Sequence, residues 1–312
     1  DENDPRYNKK AVEVFVNHIS VICGHEENCT KFLLKWIASF VQNPQDKGAH
    51  IVISGLQGTG KNSFTDVLKK LLGGNTLETT TPHKDVWGKF NILMANCNLV
   101  VINEGEQKHT YEAEGIIKGL ITDRKMTVEG KNINPFVIDS FHRFVTMSNN
   151  CDPVKLQRND RRNMVVRMAN DFIVKQDKLT NVVKNPEVQA YWNYWYNRTD
   201  RGIPDDGVMS KSGLWSIYSY FSKMDITGFN PLQNIPVSSY HERMLKYKPP
   251  REKFLFDFVR KMLREREDEL ESEDVFGHPT KGFRFPSTAK KPNHWTDLRQ
   301  YLNDKGNCKG FV

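Results

Sequence analysis

The stretch Gly55-Leu-Gln-Gly-Thr-Gly-Lys61 matches the pattern G-x-x-x-x-G-K of a phosphate-binding loop. The apolar residues 49–54 before it are typical of a short buried strand, and residues 63–72 after it have the apolar spacing of an amphipathic helix. In this context backbone N–H groups, the positive end of a helix and a lysine ammonium all attract negative charge. The stretch therefore predicts a nucleotide site. We expect the phosphates of the bound nucleotide to contact Gly55, Gln57, Gly58, Thr59, Gly60, Lys61, Asn62 and Ser63.

One position of the loop departs from the usual pattern. The residue after the lysine is normally Ser or Thr, whose hydroxyl binds Mg²⁺, whereas here it is Asn62, followed by Ser63. The amide oxygen of Asn62 is able to replace the hydroxyl ligand, or Ser63 binds the ion through a water molecule. Both alternatives stay open on the sequence.

Two further apolar runs, residues 99–102 and 144–147, are also typical of buried strands. Three such strands separated by helical stretches predict a parallel sheet in an α/β fold, with ligands at the carboxyl ends of the strands. Glu104 follows the second run and Asn149 follows the third. We therefore expect both side chains to lie beside Lys61.

Chemical roles follow from these placements. A carboxylate beside the loop holds Mg²⁺ or polarises the water that attacks the γ-phosphate, which makes Glu104 the general-base candidate and Glu106 a secondary one. Asn103 stands where a first acidic residue is usual. Asn149 is placed to hydrogen-bond the γ-phosphate and that water. The alternative is that Glu104 is a solvated charge at a strand end and Asn149 a turn residue.

Basic residues outside the loop are candidates for two other contacts. Arg161 or Arg162 is suited to stabilising the transferring phosphoryl group, including across a subunit boundary. The alternative is a local ion pair with Asp160 or Asp152. Residues 126–133 alternate around Gly130 like a β-hairpin, flanked by Lys125 and Lys131. Lysines there are suited to nucleic-acid phosphates, or simply form a solvated basic turn.

Composition sets the protein class. Lys and Arg number 45 against 38 Asp and Glu, and this excess permits binding to a polyanion without proving it. The five cysteines are an odd number in a long chain, which favours reduced thiols over a disulfide framework. No apolar run approaches the ~18 residues of a membrane span, and no signal segment opens the sequence. We expect a cytoplasmic or nuclear protein that is neither secreted nor membrane-bound.

The chain divides by pattern into three parts. Residues 1–45 carry two amphipathic helices, residues 46–172 form the α/β core, and residues 173–312 form a mostly helical region whose end is winged-helix-like. The helical prefix serves either as an oligomerisation collar or as a cap on its own core. Because the chain begins at Asp1 without Met, we expect a piece of a longer protein.

The order of the motifs resembles that of superfamily 3 helicases, the motors of viral and plasmid replication. The resemblance rests on residues 55–62, 100–105, 118–131 and 145–149. The family includes parvovirus-type Rep helicases and poxvirus-type primase-helicases. Two stretches, Ser148-Asn-Asn-Cys-Asp-Pro-Val and Asn159-Asp-Arg-Arg162, particularly resemble the primase-associated members of viruses and phages. It implies an AAA+ core in a hexameric ring that uses ATP and Mg²⁺ to move along single-stranded or forked DNA.

The same resemblance assigns roles to individual residues. It gives Lys61 to the phosphates, Glu104 to the strand-end acid, Asn149 to the sensor position, Lys131 to the hairpin tip, and Arg161 or Arg162 to the neighbouring subunit. Asn62 departs from the pattern of the family, and its place in the metal site with Glu104 rests on its amide oxygen alone. It also implies an upstream primase or polymerase domain and the cytoplasm or nucleus of an infected cell. Two rival functions are a nucleotide-gated DNA clamp that does not hydrolyse ATP and a small-molecule kinase.

Overall fold

A computed structural model describes residues 4–103, 114–150, 153, 154, 156, 160–173, 185–196 and 206–246. The chain divides into two compact units, Asp1–Leu245 and Lys246–Val312, and of the second unit only Lys246 is described. Three groups of predictions lie outside the described residues. They are the acids Glu104 and Glu106, the helices at 252–273 and 295–303, and the winged-helix-like end.

The fold is α/β, as the apolar runs predict. The strands are β1 (His50–Ser54), β2 (Thr76–Thr79), β3 (Leu99–Asn103), β4 (Lys125–Gly130), β5 (Ile133–Asp139), β6 (Arg143–Ser148) and β7 (Asn163–Arg167). The helices are α1 (Lys9–Ile22), α2 (Glu27–Gln42), α3 (Lys61–Leu71), α4 (Pro82–Asp85), α5 (Glu114–Thr122), α6 (Pro186–Trp195), α7 (Lys211–Lys223) and α8 (Ser239–Lys246), with a 3₁₀ helix at Ile92–Asn96.

Five strands form one parallel sheet in the order β2-β3-β6-β1-β7. The three strands predicted from apolar runs are confirmed as β1, β3 and β6, which are neighbours in the sheet. β2 and β7 were not predicted. β2 has the sequence Thr-Leu-Glu-Thr with mixed exposure at the sheet edge, and β7 has only three apolar residues, so neither shows a run typical of a buried strand.

The helical prefix is confirmed and packs against its own chain. The side chain of Asn8 caps α1 by accepting a hydrogen bond from the Ala11 N–H. Phe15 on α1 and Trp36 on α2 are fully buried in one hydrophobic core with sheet residues and with Phe221 of α7. The apolar stripes of the prefix are therefore accounted for within one subunit. Within the described part of the chain, no helix is both long and apolar enough to cross a membrane.

Two buried cations anchor the amino end of the sheet. Arg143, the first residue of β6, is fully buried, and its guanidinium donates to the carbonyl oxygens of Trp36 (2.8 Å) and Asp46 (3.0 Å) and to Ser39 Oγ (2.9 Å). Burial lowers the pKa of Arg143 to about 9. Lys47 Nζ donates to the Leu120 carbonyl oxygen (2.7 Å) and to a serine hydroxyl, and burial lowers its pKa to about 8. Within the described residues, each cation bonds to uncharged oxygens.

The predicted hairpin is confirmed as the antiparallel pair β4–β5. Its turn is Lys131-Asn132, one residue beyond the glycine at which we predicted it, and Asn132 has a φ of 62°, in the left-handed region that asparagine tolerates. Lys125 pairs with Asp139 at the opposite end of the ladder, so about 20 Å of strand separates it from the tip. The two lysines therefore do not share one surface, and only Lys131 is at the tip.

Candidate nucleotide-binding site

The glycine-rich loop joins β1 to α3, as predicted. Gly58 and Gly60 have φ values of 81° and 97°, in the left-handed region that favours glycine. A Cβ atom on Gly60 would also lie 2.3 Å from the Trp192 ring. Two independent constraints, backbone conformation and a close aromatic neighbour, therefore require glycine at position 60.

Lys61, the first residue of α3, is held at the centre of the loop. Lys61 is only 8% exposed. Its Nζ donates to the carbonyl oxygens of Gly55 (2.9 Å) and Leu56 (2.8 Å) and to Asn149 Oδ1 (2.8 Å). These are the oxygens that phosphate oxygens would replace when a nucleotide binds. The structure thus brings the predicted lysine and the predicted sensor asparagine into direct contact.

A cavity of ≈ 430 Å³ opens beside this contact, which is within the usual size range of small-molecule sites. Of the predicted phosphate contacts, six line it: Gln57, Gly58, Gly60, Lys61, Asn62 and Ser63. The other lining residues are Asn103, Met147, Asn149, Trp192 and Tyr196.

Two predicted loop residues do not line the cavity. Gly55 contributes its carbonyl oxygen to Lys61. Thr59 is fully buried and donates its hydroxyl to the Leu56 carbonyl oxygen. In this arrangement both residues shape the loop from behind.

The ends of β3 and β6 supply amide groups to the cavity. Asn103 Nδ2 donates to Glu78 Oε1 (2.6 Å), while its Oδ1 is buried and has no hydrogen-bond partner among the described residues. Ser63 Oγ lies 2.7 Å from the Tyr196 hydroxyl, and Asn62 is exposed at the rim. Mg²⁺ takes oxygen ligands and usually keeps several waters and phosphate oxygens, so the spare oxygen of Asn103 and the amide of Asn62 fit such an ion.

Arg161 and Arg162 lie at the other end of the sheet. The carbonyl oxygen of Arg162 accepts a hydrogen bond from His50 N (2.9 Å), and His50 is the first residue of β1, whereas the loop follows its last residue. A strand of five residues spans about 15 Å, which is further than an arginine side chain reaches. Neither arginine therefore contacts the phosphate site of its own subunit. Arg161 is exposed and Arg162 half-buried.

The cavity has an aromatic wall that the sequence analysis did not assign to the site. Trp192 and Tyr196, from α6 and the residue after it, line the cavity, and His18 of α1 contacts the loop through Nε2 and the Gly60 carbonyl oxygen (3.2 Å). His18 Nδ1 lies 2.9 Å from the Tyr191 hydroxyl, and burial lowers the His18 pKa to about 3. The signal in the sequence that pointed to this wall was the aromatic-rich stretch 187–196. A helix of this composition is more often part of a core.

Known proteins show similarity over the same region. Residues 53–162 match a family of unknown function, DUF5906. The chain is 26% identical over 211 residues to the DNA primase-polymerase of Nitratiruptor phage NrS-1, covering 65% of this chain and 29% of that protein. Two apo structures of the NrS-1 C-terminal region superimpose with TM-scores of 0.60 and 0.59 at 18% and 19% identity, and each covers 84% of this chain and 60% of the solved region.

These similarities confirm the resemblance to a phage replication protein and show a shared fold with its C-terminal region. The chain spans less than a third of the phage protein and 60% of its solved region.

Proposed function

We propose that this chain is an ATP-hydrolysing DNA helicase motor that works as a ring. The observation that carries the proposal is the 2.8 Å contact between Lys61 Nζ and Asn149 Oδ1 at the wall of a nucleotide-sized cavity. Lysine neutralises the outer phosphates, and the asparagine at the end of β6 orients the γ-phosphate and the attacking water. Glu104, which follows β3, is the proposed general base.

Mg²⁺ would be held by the nucleotide phosphates with Asn62, Asn103 and Glu104. When bound, the ion supplies charge neutralisation at the β- and γ-phosphates. Asn62 and Asn103 contribute uncharged oxygens, so Glu104 is the proposed anionic ligand.

The position of the arginines supports a composite site. Because Arg161 and Arg162 lie at the end of the sheet away from Lys61, they serve catalysis only if they contact the nucleotide of a neighbouring subunit. Arg161 is the exposed one and is our preferred candidate for that contact. We propose a homo-oligomeric ring, with six subunits implied by the resemblance to superfamily 3.

DNA contact is assigned to the hairpin. Lys131 is exposed at the tip of β4–β5, where a cation is able to contact a phosphate of single-stranded or forked DNA. The similar phage protein is named a primase-polymerase, which supports an upstream primase or polymerase domain in the full-length protein.

The test separates ATP hydrolysis from unwinding. We expect Lys131→Ala to keep most of the DNA-independent ATPase activity and to lose unwinding of forked DNA by more than about tenfold, because a phosphate contact is lost while the nucleotide site is untouched. Lys125→Ala removes the same charge at the base of the hairpin and serves as the matched control. Equal loss of both activities in the Lys131 variant would contradict the assignment of the tip.

The second candidate is a nucleotide-gated DNA clamp that does not hydrolyse ATP. It is favoured by Asn62 and Asn103 at two positions where magnesium-binding residues are usual. ATP turnover at saturating single-stranded DNA decides between the two. If the protein binds ATP without hydrolysing it, and Glu104→Gln changes nothing, the clamp is correct.

A further inference from the structure

The aromatic wall of the cavity is held rigidly. Trp192 Nε1 donates to the Phe172 carbonyl oxygen (2.9 Å), and one edge of the indole ring lies against Gly60. The Tyr196 hydroxyl lies 2.7 Å from Ser63 Oγ on α3. Each ring is thus fixed at its polar atom, and each lines the cavity with part of its surface.

Helix α6 has two distinct aromatic faces. Trp195 is fully buried in the core, and Tyr191 stacks on Phe172 with ring centres 3.9 Å apart. Trp192 and Tyr196 are half-buried and pack against the core with part of their surface. Their rings are 6.0 Å apart and inclined by 25°, so they form one nearly parallel platform. Unlike Tyr191 and Trp195, both also line the cavity.

The platform is correctly placed relative to the phosphate site. Phosphates bind at the amino end of α3, where Gly60 and Lys61 lie. Trp192 contacts Gly60, and Tyr196 contacts Ser63, which is three residues later, in the first turn of α3. The cavity therefore runs from the phosphate loop to these two rings without interruption.

We infer that Trp192 and Tyr196 bind the base of a nucleoside triphosphate by stacking. This inference rests on the proposed function, because it concerns the same nucleotide. Preordered rings lose little conformational entropy on binding, and every nucleobase presents a flat π-face. The cavity is thus assigned to a nucleotide and not to a polyphosphate chain alone.

The experiment compares ATP with inorganic tripolyphosphate, which has the phosphates but no base. Binding of both is measured by titration calorimetry for the wild-type protein, Trp192→Leu, Tyr196→Leu and Tyr196→Phe. We expect each leucine variant to lose about 5- to 150-fold in ATP affinity, the range found when an aromatic ring under a base is removed, and to bind tripolyphosphate within about twofold of wild type. Tyr196→Phe keeps the ring and should retain ATP affinity.

Two results would overturn the inference. If ATP and tripolyphosphate weaken together in the leucine variants, the rings only support the loop. If ATP affinity is unchanged, the base lies elsewhere. Thermal unfolding checks that the variants are folded, and Tyr196, which follows the last residue of α6, is the less disruptive site. A wild-type protein that binds neither ligand would instead refute the proposed function itself.

Discussion

The carboxyl and amino ends of the parallel sheet both contain buried cations, which make similar hydrogen bonds but serve different purposes. At the carboxyl end Lys61 is 8% exposed, and at the amino end Lys47 is 6% exposed and Arg143 is fully buried. All three bond to carbonyl oxygens and to uncharged side chains. The difference is the space beside them, since only Lys61 of the three lines the ≈ 430 Å³ cavity. A buried cation in an α/β protein therefore indicates a binding site only where open volume adjoins it.

The largest expected effect comes from removing the cation at the carboxyl end. Lys61→Ala should lower ATP hydrolysis by at least about 1000-fold, because the phosphates lose their positive partner. The free energy of unfolding should change by less than about 1 kcal/mol, since water in the open cavity replaces the lost donor. Steady-state ATPase assays and urea unfolding measure the two quantities. Lys70→Ala, at an exposed position on the same helix, is the control, and a large loss of stability in Lys61→Ala would remove the distinction.

The opposite outcome is expected at the amino end. Arg143→Leu leaves two carbonyl oxygens and the Ser39 hydroxyl without their buried donor, so the free energy of unfolding should fall by about 3 kcal/mol. The KM for ATP of the folded fraction should stay within about twofold of wild type. Arg124→Leu removes an exposed arginine and should have little effect on stability. A changed KM with unchanged stability would show that Arg143 acts on the nucleotide.

A smaller effect is expected from pH. Burial lowers the pKa of His18 to about 3 and those of His50 and His142 to about 4, below their ordinary value of 6.5. The folded state keeps these rings neutral, so their contribution is complete above pH 6.5 and is lost as pH falls from 6.5 towards 4. Each contributes a slope of about 1.4 kcal/mol per pH unit.

His18→Phe tests this at the loop. Replacing the ring should remove one of these contributions and flatten the pH dependence of the unfolding free energy by about 1 kcal/mol per pH unit between pH 6.5 and 5.0, because the unfolded histidine is only half protonated at pH 6.5. Urea unfolding at pH 6.5 and pH 5.0 measures the slope. An unchanged slope would mean that His18 is not kept neutral by the fold.

Much of the carboxyl end was predictable because its signals are local. The glycine spacing of the loop and the long apolar runs of β3 and β6 each lie within a few residues, and parallel strands place their ends together. The contact between Lys61 and Asn149 follows from that topology, although 88 residues separate them. The roles of Glu104, of the metal ligands and of the arginines stay predictions.

The aromatic wall and the amino-end anchors were not predictable in the same way. Trp192 reaches Gly60 through tertiary packing of a helix far along the chain, and no spacing rule connects the two. Arg143 looks like an ordinary charged residue before an apolar run, and only the packing of α2 over the sheet buries it. Such contacts depend on how elements are stacked, which local periodicity does not encode.

The contact between Lys61 and Asn149 has a consequence for the kind of anion that the site accepts. The ammonium of Lys61 has three oxygen partners within the protein. An incoming anion must compete with those partners, so a singly charged ion gains little and a polyanion gains most. In a protein that turns over ATP, the same exchange would run backwards when products leave, and each cycle would start from the same reset geometry.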